Sequence, residues 1–157
     1  FMQYSFNQGP SICLQIECEK SILSKVTLTK SSHFECFISE ECDLDTVQTI
    51  IKWLTQYSYR KDPSPLNLNL PKLPLFYQKV LIHLQNLPFA QLVTYGNLSS
   101  TIGHPKAARA VGSACKINPF PLFIPCHRVV GADNIGGFAY DLSIKQALLQ
   151  FEMDFLL

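Results

Sequence analysis

No stretch of this sequence is long and apolar enough to cross a membrane, and no positively charged start followed by an apolar run marks a secretion signal. The expectation is therefore a cytoplasmic protein, or a nuclear one in a eukaryotic source. An excess of charge is also missing. Thirteen Lys and Arg against twelve Asp and Glu give a net charge of +1, which excludes a strongly basic protein of the kind that coats nucleic acid. None of the six cysteines forms a CxxC pair, and the secretory context that favours disulfides is lacking, so reduced thiols are expected. His33 and Cys36 have a spacing that suits two metal ligands, but a structural zinc needs four. No metal and no cofactor is implied.

What is present divides near residue 72. In the first part, SICLQIECE (11–19) puts Ile12, Leu14, Ile16 and Cys18 on one face, the period of a half-buried strand. SILSKVTLT (21–29) reads as a second strand, and the two predict a hairpin. Asp43 is placed to cap a helix whose apolar stripe is Leu44, Val47, Ile51 and Leu54, with Ile50 alongside. RKDPSP (60–65) breaks that helix, and the alternation in LNLNL (66–70) predicts another short strand. This part carries no catalytic cluster.

The second part reads as helical. PLFYQKVLIHLQNLP places Phe76, Val80, Leu84 and Leu87 on one stripe between Pro74 and Pro88, with His83 a surface or packed residue rather than a ligand. A short helix from Tyr95 to Ile102, a turn at Gly103-His104 and a longer helix from Pro105 to about Ile117 predict a helix-turn-helix. In the longer helix Lys106, Arg109, Ser113 and Lys116 form a basic face, opposite Ala107, Val111 and Ala114. The residues around Arg109 are small, Ala107 and Ala108 among them, so a partner's backbone could come close while one long arginine projects. A solvated basic face is the plainer reading. The pattern also suits phosphates, with the arginine reaching between bases.

Asn118 and the prolines of NPFPLFIP lead into PCHRVVG (125–131). A thiol is a strong nucleophile only as thiolate, and a neighbouring base lowers the cost of forming it. Pro125 stiffens the turn that presents Cys126, and His127 stands beside it. A buried structural cysteine followed by a chance histidine explains the dipeptide equally well. In the last helix Ser143 and Gln146 have capping-box spacing, and Glu152 could orient His127 to complete a Cys–His–Glu chain.

Taken together, YGNLSSTIGHPKAARAVGSACKINPFPLFIPCHRVVG, with the downstream GGF and KQALLQFE, closely resembles the O6-alkylguanine-DNA alkyltransferase family over about residues 74–152. The resemblance implies an α+β protein. A small antiparallel-sheet domain of RNase H-like character (1–72) would pack on a winged-helix domain (73–157) that binds DNA and transfers the alkyl group. It implies direct repair of double-stranded DNA carrying O6-alkylguanine, with O4-alkylthymine a further candidate substrate, by a monomer whose Cys126 accepts one alkyl group irreversibly. His127 would activate Cys126 through a bridging water and Glu152 would hold His127. Tyr95 would donate to the guanine ring, and Asn118 would tie the turn near the cysteine. Arg109 would fill the gap left by the flipped nucleotide. Lys106, Ala107, Ala108, Ser113, Lys116 and Arg128 would meet DNA. Pro121, Val129, Phe138, Ala139 and Tyr140 would line the pocket, the main chain of Cys126 and Val129 reading the guanine edge and Ala139 offering its N–H to O6. The family pattern more often has a tyrosine at 138 and small residues at 140 and 141. Tyr140 is accordingly expected to narrow the alkyl end of the pocket. A non-catalytic lesion binder of the same fold is the alternative, though such proteins lack the acceptor cysteine.

Overall fold

The computed structural model describes residues 1–153. In chain order the elements are β1 (Met2–Ser5), β2 (Ile12–Glu19), β3 (Ile22–Lys30), β4 (Glu35–Ile38), α1 (Leu44–Ser58), α2 (Leu75–Gln85), β5 (Val93–Thr94), α3 (Tyr95–Thr101) and α4 (Ala108–Lys116). A 3-10 turn at Cys126–Arg128, β6 (Val129–Val130) and α5 (Leu142–Met153) follow. The α+β class agrees with the expectation. The last four residues of the C-terminal unit expected at 73–157 lie outside the described residues.

The hairpin forms where alternation placed it. Ile12, Leu14, Ile16 and Cys18 of β2 and Val26 and Leu28 of β3 are buried, on the core face of the sheet. Lys20 and Ser21 close the turn with φ of 51° and 63°, the left-handed pair that matches the strands' twist. The sheet order is β1-β4-β2-β3. β4 pairs in parallel with β2, so the sheet expected to be antiparallel is mixed. The segment after β3 crosses to the far side of β2, and β4 then runs in the same direction as β2.

Four local expectations are corrected. Residues 66–70 form no strand. Leu66, Leu68 and Leu70 pack against the core, and the Leu66 carbonyl accepts a bond from the Gln85 side chain rather than from a neighbouring strand. Period-two burial can thus arise without a ladder. In α1 Asp43 does cap the helix, accepting from the Thr46 N–H at 2.8 Å. The buried stripe, however, is Ile50, Trp53, Leu54 and Tyr57, while Leu44 is exposed. The helix is turned by what α5 and the loop before α3 present to it. Finally, α4 begins at Ala108 rather than Pro105, and α5 begins at Leu142, with Asp141 rather than Ser143 capping by accepting from the Ser143 N–H.

One apolar core runs through both parts of the chain. Trp53 of α1 meets Phe123 edge-on at 4.7 Å, Tyr57 lies against Phe89 and Phe151, and the Val26 N–H of β3 donates to Pro119 O at 2.9 Å. The guanidinium of Arg60 sits 4.2 Å over the Phe151 ring and donates to its carbonyl.

The expectation of reduced thiols throughout is overturned. Cys18, at the end of β2, and Cys42, just before α1, are joined by a disulfide with Cα atoms 5.2 Å apart. Their separation of 24 residues hid a proximity that the sheet creates. Cys13, Cys36, Cys115 and Cys126 are free. His33 pairs with Glu35 at 3.5 Å, and among the described residues no group of three or more His, Cys, Asp or Glu could hold a metal ion. No helix among them is long and apolar enough to cross a membrane.

Closing a loop of this length constrains the unfolded chain by an amount on the order of 3 kcal/mol. Cys42→Ala should therefore lower the unfolding free energy by about that much, as read from urea melts of both proteins without reductant.

Candidate active site

Cys126 sits in the 3-10 turn, where its N–H donates to Ile124 O at 2.8 Å and Arg128 N–H donates to Pro125 O at 3.0 Å. Asn118 holds the loop that feeds this turn. Its side-chain amide donates to Ile124 O at 2.8 Å and its carbonyl oxygen accepts from the Phe120 N–H at 2.9 Å. Beyond the turn, Val129–Val130 pairs in parallel with Val93–Thr94, which delivers Tyr95 at the start of α3.

The Cys126 side chain is 4% exposed and faces a cavity of about 480 Å³. One wall is α4, through Ala108, Arg109, Gly112, Ser113 and Lys116; the other is Tyr95 with Gly137, Phe138 and Ala139. Arg109, Ser113 and Lys116 are exposed on the outer face of α4 while Val111 and Ala114 are buried, as the spacing predicted. Lys106 lies just before that helix and is exposed. Gly136, at φ 74°, lets the loop run against Tyr95, because a Cβ there would stand 2.6 Å from the phenol oxygen. The Tyr95 hydroxyl lies 3.5 Å from Gly137 O, and burial raises its pKa.

Behind the cysteine lies a buried polar cluster. His127 Nε2 and Glu152 Oε2 are 2.6 Å apart, and both side chains are fully enclosed. Arg128 Nε donates to Glu152 Oε1 at 2.8 Å, and the Ala90 N–H donates to the same oxygen at 3.3 Å. Tyr57, from α1, donates its hydroxyl to Oε2 at 2.6 Å. Burial opposes the charge on Glu152, but His127 and Arg128 outweigh it and hold the carboxyl well below the usual carboxylate range. Burial likewise depresses His127, despite Glu152. An ionised Glu152 can only accept, so a neutral His127 carries its proton on Nε2 and leaves Nδ1 as a lone pair. That Nδ1 is buried and has no hydrogen-bond partner among the described residues.

Burial pushes the Cys126 thiol up, while Asn118 and Lys145 act to lower it. Lys145, on α5, is fully buried and donates to Val129 O at 2.7 Å and Gly137 O at 2.8 Å. Its ammonium is the cation that favours a thiolate here. Cys115 shares the cavity wall, and burial, with the charge of Cys126 beside it, pushes its thiol well up.

The structure thus brings together Cys126, His127, Glu152, Tyr95 and Asn118, with Arg109, Lys116 and Ser113 at the cavity mouth. It corrects several other assignments. Arg128, expected to face DNA, is buried with Glu152 because a carboxylate enclosed in the core requires a cation beside it. Tyr140 does not line the cavity. Its hydroxyl lies 3.3 Å from Val26 O on β3, so Phe138 and Ala139 form the wall where Tyr140 was expected to narrow it. Pro121 is buried in the loop, bridged to Ile124, and Val129 turns its carbonyl to Lys145, so neither lines the cavity. Lys145 and Tyr57 were missed. A lysine in an otherwise ordinary amphipathic helix gives no sign of burial. Tyr57 could have been found from Ile50, Trp53, Leu54 and Tyr57, an alternative stripe at the same helical spacing.

If Lys145 supplies the cation, Lys145→Met should raise the Cys126 thiol further, by about one pH unit or more. The pH dependence of thiolate absorbance, compared with Cys126→Ser to isolate this thiol, measures it.

Residues 75–154 match the model of the 6-O-methylguanine DNA methyltransferase DNA-binding domain. A probable methylated-DNA–protein-cysteine methyltransferase of Acanthamoeba polyphaga mimivirus is 46% identical over 87 residues, 55% of this chain and 58% of that one. The methylated-DNA–protein-cysteine methyltransferase of Saccharomyces cerevisiae is 40% identical over 80 residues, 50% of this chain and 43% of its own length. The chain spans about half the length of the curated relatives it matches. Among solved structures, the Mycobacterium tuberculosis OGT in complex with DNA superposes with a TM-score of 0.70 at 25% identity, covering 90% of this chain and 93% of that one. With the matched segment taking in α2 to α5, and with it Cys126, His127 and Glu152, the chain belongs to the 6-O-methylguanine DNA methyltransferase family.

Proposed function

We propose that this chain repairs O6-alkylguanine in double-stranded DNA by taking the alkyl group onto Cys126 in a single, irreversible transfer. One observation carries the reading: Cys126 opens into a cavity walled by an exposed arginine-bearing helix, and its neighbour His127 is a buried base held by an ionised Glu152. The alkyl carbon of such a lesion lies within the duplex, so the nucleotide must be flipped into the cavity. Lys106 and Lys116 would meet phosphates, Ala107 and Ala108 would let the backbone approach, and Arg109 would take the place of the displaced base.

The thiol proton would pass to His127 Nδ1, through a water molecule where the two do not touch. The Cys126 sulfur would then attack the alkyl carbon. A carbon–sulfur bond forms, the carbon–O6 bond breaks, and its electron pair leaves with the guanine, which takes up a proton on its ring. Tyr95 would assist by donating to the departing base, and the Ala139 N–H by meeting O6. Lys145 and Asn118 would favour the thiolate. The thioether has no route back to a thiol, so each molecule acts once. The division into units at 1–72 and 73–157 belongs to the same reading, with the second carrying the chemistry.

Incubation with duplex DNA containing O6-methylguanine, followed by intact mass, should show a gain of one methyl that saturates at one per protein. Peptide mapping should place it on Cys126. Cys126→Ser should bind the DNA and gain nothing, since a hydroxyl is far harder to ionise. A methyl found mainly on Cys115 or Cys36 would sink the assignment.

Arg109→Ala should slow reaction with duplex DNA by about 10- to 100-fold, the scale set by the few kcal/mol of unstacking. Reaction with the free O6-methylguanine base should be nearly unchanged. Equal slowing on both substrates would count against an inserting arginine.

A further inference from the structure

The α1 helix reaches Glu152 through a single group, the Tyr57 hydroxyl, 95 residues away in sequence and 2.6 Å away in space. Tyr57 is fully buried. Its ring is stacked on Trp53 at 5.6 Å, meets Phe89 edge-on at 5.5 Å and lies against Phe151 at 5.4 Å. A phenylalanine would satisfy every one of these contacts. A hydroxyl in such surroundings is costly unless it is hydrogen-bonded, and this one has Glu152 as its acceptor. The acceptor is Oε2, the oxygen that also holds His127 Nε2 at 2.6 Å.

We infer that Tyr57 is a positioning residue that sets the basicity of His127 through Glu152, and so couples α1 to alkyl transfer; this rests on the function proposed above. A phenol donating to Oε2 withdraws charge from the atom that His127 faces. Glu152 then attracts a second proton on the imidazole less strongly. His127 stays neutral at rest, with Nδ1 free to receive the thiol proton. The other charged and titratable groups around this pair are Arg128 in the same turn, Lys145 on α5, and Arg60 on the Tyr57 side, and all three disfavour further positive charge on His127 or stabilise negative charge on Tyr57 and Glu152. Tyr57 is the neutral member of this set. Its removal changes a hydrogen bond without changing the net charge.

The sign follows. Without the hydroxyl, Oε2 is more basic and the imidazolium is stabilised, so the His127 midpoint rises. Transfer requires neutral His127, so the acid limb of its pH–rate profile moves to higher pH by the same amount.

The test uses the full chain. In Tyr57→Phe, the His127 midpoint from NMR titration should rise by about half to one pH unit, and the acid limb of methyl transfer should move with it. With 3-fluorotyrosine at position 57 alone, whose hydroxyl is a stronger donor, both should move to lower pH. The fluorinated protein keeps the fold if Tyr57→Phe does not. Unchanged midpoints in both proteins, or a rate lowered equally at every pH, would overturn the inference and leave Tyr57 a packing residue. A wild-type protein that transfers no methyl would instead reject the proposed function, and the NMR midpoints would still decide the role of Tyr57.

Discussion

A carboxylate enclosed in the apolar core is the constraint around which the rest of the molecule is arranged. Glu152 is fully buried, and an unpaired charge there would be prohibitive. It is held by four donors from three places: Tyr57 on α1, Ala90 before β5, and His127 and Arg128 in the 3-10 turn. Removing one partner of a buried pair typically costs about 3–5 kcal/mol, because the other charge is stranded. These three segments and α5 must therefore arrive together, and the tertiary contacts around them, Trp53 on Phe123 and Arg60 on Phe151, enforce that arrangement.

The same arrangement produces the chemistry of the site. Burial keeps His127 neutral but works against the Cys126 thiolate, which Asn118 and Lys145 act to favour. Lys145 is itself anchored by two carbonyls, one from Val129 just past the turn and one from Gly137 in the cavity wall. The loop that lines the cavity and the turn that presents the nucleophile are thus tied to one ammonium. In the proposed function, acceptance of a proton and stabilisation of the thiolate would fall to different side chains, His127 and Lys145.

Membership in the family accounts for the segment from α2 to α5, and the first seventy residues add a sheet, a disulfide and α1. Their reach into the site is narrow. The Val26 carbonyl of β3 accepts from the Tyr140 hydroxyl at 3.3 Å. The Tyr57 hydroxyl meets Glu152. Through these two contacts the first half touches the loop after the cavity wall and the carboxylate that holds His127.

Alternation in β2 and β3, the Asp43 cap, the basic face of α4 and the Cys126–His127–Glu152 sequence were all legible in the chain, because each depends on short-range periodicity or on a motif. What the sequence by itself determined was the β2–β3 hairpin, the presence of the helices and which residue types carry the chemistry. It did not determine partners. The stripe Leu44–Val47–Ile51–Leu54 and the stripe Ile50–Trp53–Leu54–Tyr57 have the same helical period, and only the neighbours of α1 choose the second. Arg128 and Lys145 look like surface cations until the folded chain encloses them, and Cys18 finds Cys42 only when the sheet brings β2 to the start of α1. Local patterns record each residue's preference for water or core. The pairing of buried charges and thiols depends on distances across the fold, which tertiary structure alone decides.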